Sequence, residues 1–183
     1  VERVFGRSVE IPHNVAAALA RLSHERAGAR GYARRADDYG RGAYNDPALP
    51  IYQGLIGEWA FAHLMRARGA EVEWKPQTFE SADFEDVVVS GVSVGVKTAR
   101  ALPAWVDVQA HARSRSQCEI VCAALCGDAM TFDVRGVRVV GFITRDDLIR
   151  LDVTNSPRLN RPSYCVTKGS LRTDEAEFFS TVF

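Results

Sequence analysis

Two residues in this chain are of the type and placement to do chemistry together. Asp86 opens, and Lys97 nearly closes, the stretch Asp86-Val-Val-Val-Ser-Gly-Val-Ser-Val-Gly-Val-Lys97-Thr98. A carboxylate is a ligand for a hard divalent cation, which takes oxygen donors. An ammonium can hold a water or stabilise charge developing on a phosphoryl oxygen. Together they suit metal-assisted hydrolysis of a phosphodiester, in which the cation lowers the pKa of an attacking water. That chemistry asks for a second carboxylate two residues before the lysine, because alternate residues of a strand share a face. The residue there is Gly95, and the neighbour before it on that face is Ser93.

These residues need a hairpin to hold them, and the sequence supplies one. Valine-rich runs at 86–90 and 92–99 are separated by Ser90-Gly91, which reads as a tight turn. A further carboxylate, Glu58, belongs to a helix expected from about Ile51 to Arg68 and ended by Gly69. Leu55, Ile56, Trp59, Ala62, His63 and Met65 give that helix an apolar face. Glu58 falls at the margin of this face, where burying a carboxylate is costly unless a cation or hydrogen bonds compensate. The bland alternative is an exposed edge glutamate.

Gly57-Glu58-Trp59-Ala60-Phe61 on the helix, Asp86 at the first hairpin strand and Gly95-Val96-Lys97-Thr98 on the second together resemble the PD-(D/E)xK nuclease superfamily of restriction-endonuclease-like enzymes. The chain looks most like small phage and bacterial members. Val140-Gly141-Phe142-Ile143-Thr144-Arg145-Asp146-Asp147-Leu148 is similar to the final strand and helix of such members, so the resemblance covers about Ile51 to Leu151. It implies Mg²⁺ (or Mn²⁺) bound by Asp86, with the backbone carbonyl of Val96 as a further ligand and Glu58 reaching the metal directly or through water. It also implies that Lys97 positions the attacking water and that Thr98 helps orient the scissile region.

The departure from the family pattern is Gly95, where Asp or Glu is expected. Three readings are open: Glu58 supplies the migrated carboxylate, the chain binds DNA without cutting it, or the glycine is an introduced change that disables the enzyme. Asp83 is the runner-up to Asp86 as the strand acid, and Asp83 and Glu85 otherwise read as turn residues.

The bulk composition sets the frame. At 183 residues with 46% hydrophobic and 25% charged content, the chain suits one globular domain with a real core. Residues 1–50 read as a helical, basic extension, 51–151 as the core and 152–183 as a C-terminal elaboration. No run approaches a membrane span and the N-terminus has no signal-peptide pattern, so the expectation is a cytoplasmic protein with no membrane partner. Net charge is zero, built from 20 arginines and only three lysines, Lys75, Lys97 and Lys168. Arg-rich coding explains most of that bias, yet it leaves Lys97 conspicuous, since lysine is a compact ammonium of adjustable pKa. Six arginines between Arg21 and Arg41 make that segment locally basic, which suits either a solvated face or a phosphate-contact surface. Arg34, Arg35, Arg100, Arg113 and Arg115, with Thr98, are the expected DNA contacts.

Cys118, Cys122 and Cys126 are spaced for one face of a buried strand and Cys165 is distant, so buried thiols are expected and not a metal knuckle. His13, His24, His63 and His111 form no metal-ligand spacing. A first helix is expected from Pro12 to about Arg26. Strands are expected at 71–75, 119–126, 130–134, 137–143 and 164–167, and a capped helix is expected after Thr144. The order predicts an α/β (α+β) fold, a restriction-endonuclease-like mixed central β-sheet flanked by helices. The leading expectation is a Mg²⁺-dependent DNA endonuclease, acting as a homodimer if two centres cut two strands. Its rivals are a catalytically dead DNA-binding protein on the same fold, and an interaction module with no nucleic-acid role, in which Lys97 snorkels from a valine core.

Overall fold

The structure is a computed structural model, and it describes residues 4–28, 46–76, 86–100, 106–109, 118–126, 131–155 and 162–183. Nine strands and four α-helices are described. In chain order they are β1 (Ser8–Glu10), α1 (His13–Gly28), α2 (Ala48–Ala67), β2 (Val72–Glu73), β3 (Val87–Val89), β4 (Val92–Ala99), β5 (Val106–Gln109), β6 (Ile120–Leu125), β7 (Gly136–Thr144), α3 (Arg145–Leu148), β8 (Val153–Asn155), β9 (Pro162–Val166) and α4 (Glu175–Val182). The first sheet has the order β1-β7-β6-β4-β3-β2, and a second has the order β5-β9-β8. Within the first, β4 and β6 pair parallel and every other neighbour pairs antiparallel. This is a mixed, mostly antiparallel sheet flanked by helices, as expected at that level of description.

The two faces of the sheet bury different things. Val94 and Val96 of β4, Ile120, Cys122 and Ala124 of β6, and Val137 and Val139 of β7 point into one core with Leu55, Ile56, Phe61 and Met65 of α2. Val121, Ala123 and Ile143 point the other way and pack with Leu148 of α3 and with Tyr164 and Val166 of β9. Strand alternation therefore sends even-numbered β4 residues toward α2, while Ser93, Gly95 and Lys97 take the other side.

The hairpin forms for the reason its sequence suggests. Val89 pairs with Val92, leaving Ser90 and Gly91 as a two-residue loop with φ of 49° and 85°. Positive φ at both positions is the type I′ turn, whose twist matches that of its strands. α3 is short, but its start is well capped. Thr144 Oγ1 accepts from the Asp147 backbone N–H at 3.3 Å and donates to the Asp147 carboxylate at 2.9 Å.

Two expectations are corrected, for the strand at 130–134 and for the start of the long helix. No strand spans 131–134, which is bend and irregular chain; Tyr52 donates from its hydroxyl to the Phe132 carbonyl at 2.8 Å. The region from 153 contains β8, which pairs with β9. The acidic tail is the helix α4, capped by Asp174, whose carboxylate accepts from the N–H groups of Ala176 and Glu177. Its Phe178 is fully buried among Phe5, Phe61 and Phe142. The long helix also starts earlier than expected, at Ala48, with the Asp46 carboxylate accepting from the Ala48 N–H.

Cys122 and Cys126 are buried on the α2 side, as the strand reading requires. Cys118 is buried too, but it precedes β6 and meets Ser93 instead, whose Oγ donates to its Sγ at 3.5 Å. Burial pushes the Cys122 thiol far up, and pushes Cys126 up to about 11. Thiols held protonated in this way are poor metal ligands, which need the thiolate.

Candidate active site

Asp86 is placed by β3. Val87 pairs with Val94 in the last step of the ladder, and Asp86 precedes it. Its carboxylate continues the ladder where β3 ends: Oδ2 accepts from the Val96 backbone N–H at 2.7 Å. The same oxygen accepts from Lys97 Nζ at 3.3 Å. The N–H and carbonyl of one extended residue point to the same side of a strand. The Val96 carbonyl therefore faces the Asp86 side of β4, where the metal-ligand expectation needs it.

Lys97 is held between burial and charge. Its side chain is 34% exposed and that of Asp86 18%. The Asp86 carboxylate raises the pKa of the Lys97 ammonium, burial lowers it, and the hydrogen bond to Asp86 raises it again. Cys118 and Glu58 also lie within electrostatic reach of the ammonium. The net direction is upward, so Lys97 is cationic at neutral pH.

Glu58 joins this pair from α2. The helix delivers it at the edge of the packed face, where it is half-buried. Its carboxyl is raised to about 7, first by burial and then by the nearby Asp86 charge. A hydrogen bond from Trp74 and the charges of Arg26 and Lys97 act in the opposite direction without overcoming those two. The Trp74 bond runs from the indole Nε1–H to Glu58 Oε2 at 3.0 Å. Glu58, Asp86 and Lys97 are thus one electrostatic cluster drawn from a helix and a hairpin. A shifted carboxyl of this kind marks a candidate functional site.

The helix reaches the hairpin because Gly57 has no side chain. A Cβ built on Gly57 would stand 1.9 Å from Thr98 Oγ1 and 3.1 Å from Thr98 Cβ. The motif glycine is thus a close-approach residue that lets α2 lie on β4. The Thr98 hydroxyl is buried against the helix, on the α2 side of β4, with no hydrogen-bond partner among the described residues. Arg100 follows β4 and lies near enough to Cys126 to act on its thiol. Asp83, Glu85, Arg34, Arg35, Arg113, Arg115 and His111 lie outside the described residues.

Two contributors escaped the sequence reading. Trp74 was passed over in a short polar strand, and an indole amid Glu71, Glu73 and Lys75 was its only signal. Arg26 was seen merely as part of a basic segment, yet it acts on Glu58 and donates to the Pro76 carbonyl. His63, by contrast, is exposed and stacks on Trp59, with ring centroids 5.0 Å apart and planes at 12°.

The donor set suits a hard cation in kind, with two crowded carboxylates and a backbone carbonyl, all oxygen. It is sparse in number. Among the described residues no group of three or more His, Cys, Asp or Glu side chains is gathered to hold a metal ion. None of the described helices is long and apolar enough to cross a membrane. Comparison with protein-family models, with curated proteins and with solved structures finds no match to this chain.

Proposed function

We propose that this chain is a Mg²⁺-dependent DNA endonuclease of the PD-(D/E)xK type on a restriction-endonuclease-like core, with Glu58 standing in for the acid absent at Gly95. One observation carries the reading: the Val96 N–H and Lys97 Nζ both donate to the same Asp86 oxygen, beside the Glu58 carboxyl, which burial and Asp86 push upward. Crowding two carboxylates is unfavourable unless a proton or a cation is shared between them. The order of helix, hairpin and parallel strand around them agrees with the same reading.

In it, Asp86 and Glu58, with the Val96 carbonyl, hold Mg²⁺ or Mn²⁺. Such an ion supplies a water of lowered pKa and neutralises phosphate charge. The remaining roles belong to the chain itself. Val96 N–H fixes one Asp86 oxygen, and the Trp74 N–H fixes one Glu58 oxygen. Lys97 presents a permanent cation beside Asp86, where it orients a water or meets a phosphate oxygen. DNA is the partner, and a second copy of the chain would bring a second centre to the opposite strand.

The test is cleavage of supercoiled, linear and single-stranded DNA with Mg²⁺ or Mn²⁺, alongside Lys97→Ala and Glu58→Ala. Metal-dependent cutting abolished by both changes is the expected result, and robust activity in either variant overturns the assignment. The absence of a third ligand side chain among the described residues favours a second reading, a DNA-binding protein that does not cut. Salt-sensitive DNA binding without cleavage by any metal would establish it.

A further inference from the structure

A cleft of about 630 Å³ opens beside the cluster, between α1, α2 and the segment after β2. Clefts of about 300–1,000 Å³ are the usual size for small ligands. Two of its walls are indoles, Trp59 of α2 and Trp74, both half-buried. Leu22 and Val15 of α1 add apolar surface, and exposed Arg21, Asn14 and Glu25 stand at its polar rim. One face of Trp59 is taken by the His63 imidazole, which fixes the ring's orientation. Trp74 is fixed by its N–H bond to Glu58. Both indoles are therefore held in place before any ligand arrives.

Trp74 is the informative residue, because it belongs to both places. Its ring lines the cleft while its nitrogen holds a carboxylate of the Asp86–Lys97–Glu58 cluster. Whatever stacks in the cleft is then separated from that cluster by a single side chain. Nucleobases stack on such platforms whichever base it is, because each has a π-face. The rim adds a guanidinium for a phosphate or base edge and a carboxamide that can both donate and accept.

We propose that the Trp59–Trp74 cleft binds an unpaired nucleobase of a nucleic-acid strand whose adjoining phosphate lies at the Asp86–Lys97–Glu58 cluster. It rests on the nuclease reading for the position of the phosphate. The consequence is a substrate class: strands with splayed or unpaired bases, in preference to a continuous duplex, whose bases are stacked away from protein rings.

The experiment uses the full chain carrying Trp105→Phe, so that fluorescence comes from Trp59 and Trp74, in buffer without divalent metal. It is titrated with a short oligothymidylate, with an abasic strand of equal length and with a blunt duplex of equal length. The oligothymidylate should quench the emission and bind at least about tenfold more tightly than the abasic strand. Trp59→Ala should erase that difference and Trp59→Phe should keep most of it. Equal binding of thymidylate and abasic strands by the Trp105→Phe protein overturns the proposal without recourse to any cleft variant. Duplex binding as tight as that of the single strand, with equal quenching, overturns it as well. Adding Mg²⁺ then separates the two readings. Base-dependent binding with no cleavage supports the cleft and counts against the nuclease, whereas cleavage with no base dependence removes the cleft alone.

Discussion

Asp86 Oδ2 accepts from the backbone N–H of Val96, the residue that follows Gly95, at 2.7 Å. The position where a second strand carboxylate is expected therefore adjoins the residue that holds the first. Gly95→Glu should raise Mg²⁺ affinity at least about tenfold, read by calorimetric titration, and should increase cleavage in parallel. Unchanged Mg²⁺ affinity would mean that the cation does not bind between these strands.

Lys97→Met keeps the length of the side chain and removes the charge. The ion pair to Asp86 is part-exposed, and such pairs contribute about 0–1 kcal/mol. Thermal stability should therefore change little. Cleavage should fall by about 10²–10³-fold, the usual effect of losing one preorganised charge stabiliser. A variant that keeps its activity would place the catalytic cation elsewhere.

Glu58 should make stability depend on pH. Its folded-state pKa, about 7, lies above the ordinary 4.5. A group raised in this way contributes its stability in full below the lower value and loses it as pH rises through the upper one. The unfolding free energy from urea titrations should thus fall between about pH 4.5 and 7, by at most about 3.4 kcal/mol at 1.36 kcal/mol per unit. Glu58→Gln should flatten that window, and millimolar Mg²⁺ at about pH 8 should restore the wild type but not the variant. A wild-type profile already flat across the window would remove the evidence for a crowded carboxylate.

Gly57 and Thr98 should couple in a double-mutant cycle. Gly57→Ala adds a methyl where Thr98 Oγ1 already sits, and overpacking of this kind costs about 1–3 kcal/mol. In a Thr98→Ala background the clash is largely gone, and the helix propensity of alanine over glycine, about 1 kcal/mol, becomes visible. A coupling energy near zero, measured by urea unfolding, would show that α2 does not rest on β4 at this point.

What could be read in advance follows from the range of the forces involved. The hairpin was legible because its determinants are local, with valines either side of Ser90-Gly91. The Thr144 cap was legible for the same reason. Asp86, Lys97 and Glu58 were singled out by type and spacing, but that a helix carboxyl would share their field depends on Gly57 resting against Thr98, a contact between residues far apart in sequence. Trp74 was invisible because its partner, Glu58, lies on another element. Asp174-Glu-Ala-Glu-Phe-Phe mixes charge and aromatics in too few turns to show a period, so only its capping aspartate marks α4 in the sequence. Thr98 takes the opposite face of β4 from Lys97, as strand alternation requires.

The two-residue turn at Ser90-Gly91 has a consequence for the order of assembly. It closes a loop so short that Asp86 and Lys97 can meet on the microsecond scale of hairpin formation, before any distant contact exists. Glu58 arrives only when α2 docks, after a much longer stretch of chain has been closed. The half of the cluster that is already charge-balanced is local in origin. The carboxylate that unbalances it comes last, so a spectroscopic label near Lys97 would time the hairpin, and one near Glu58 would time the docking of the helix.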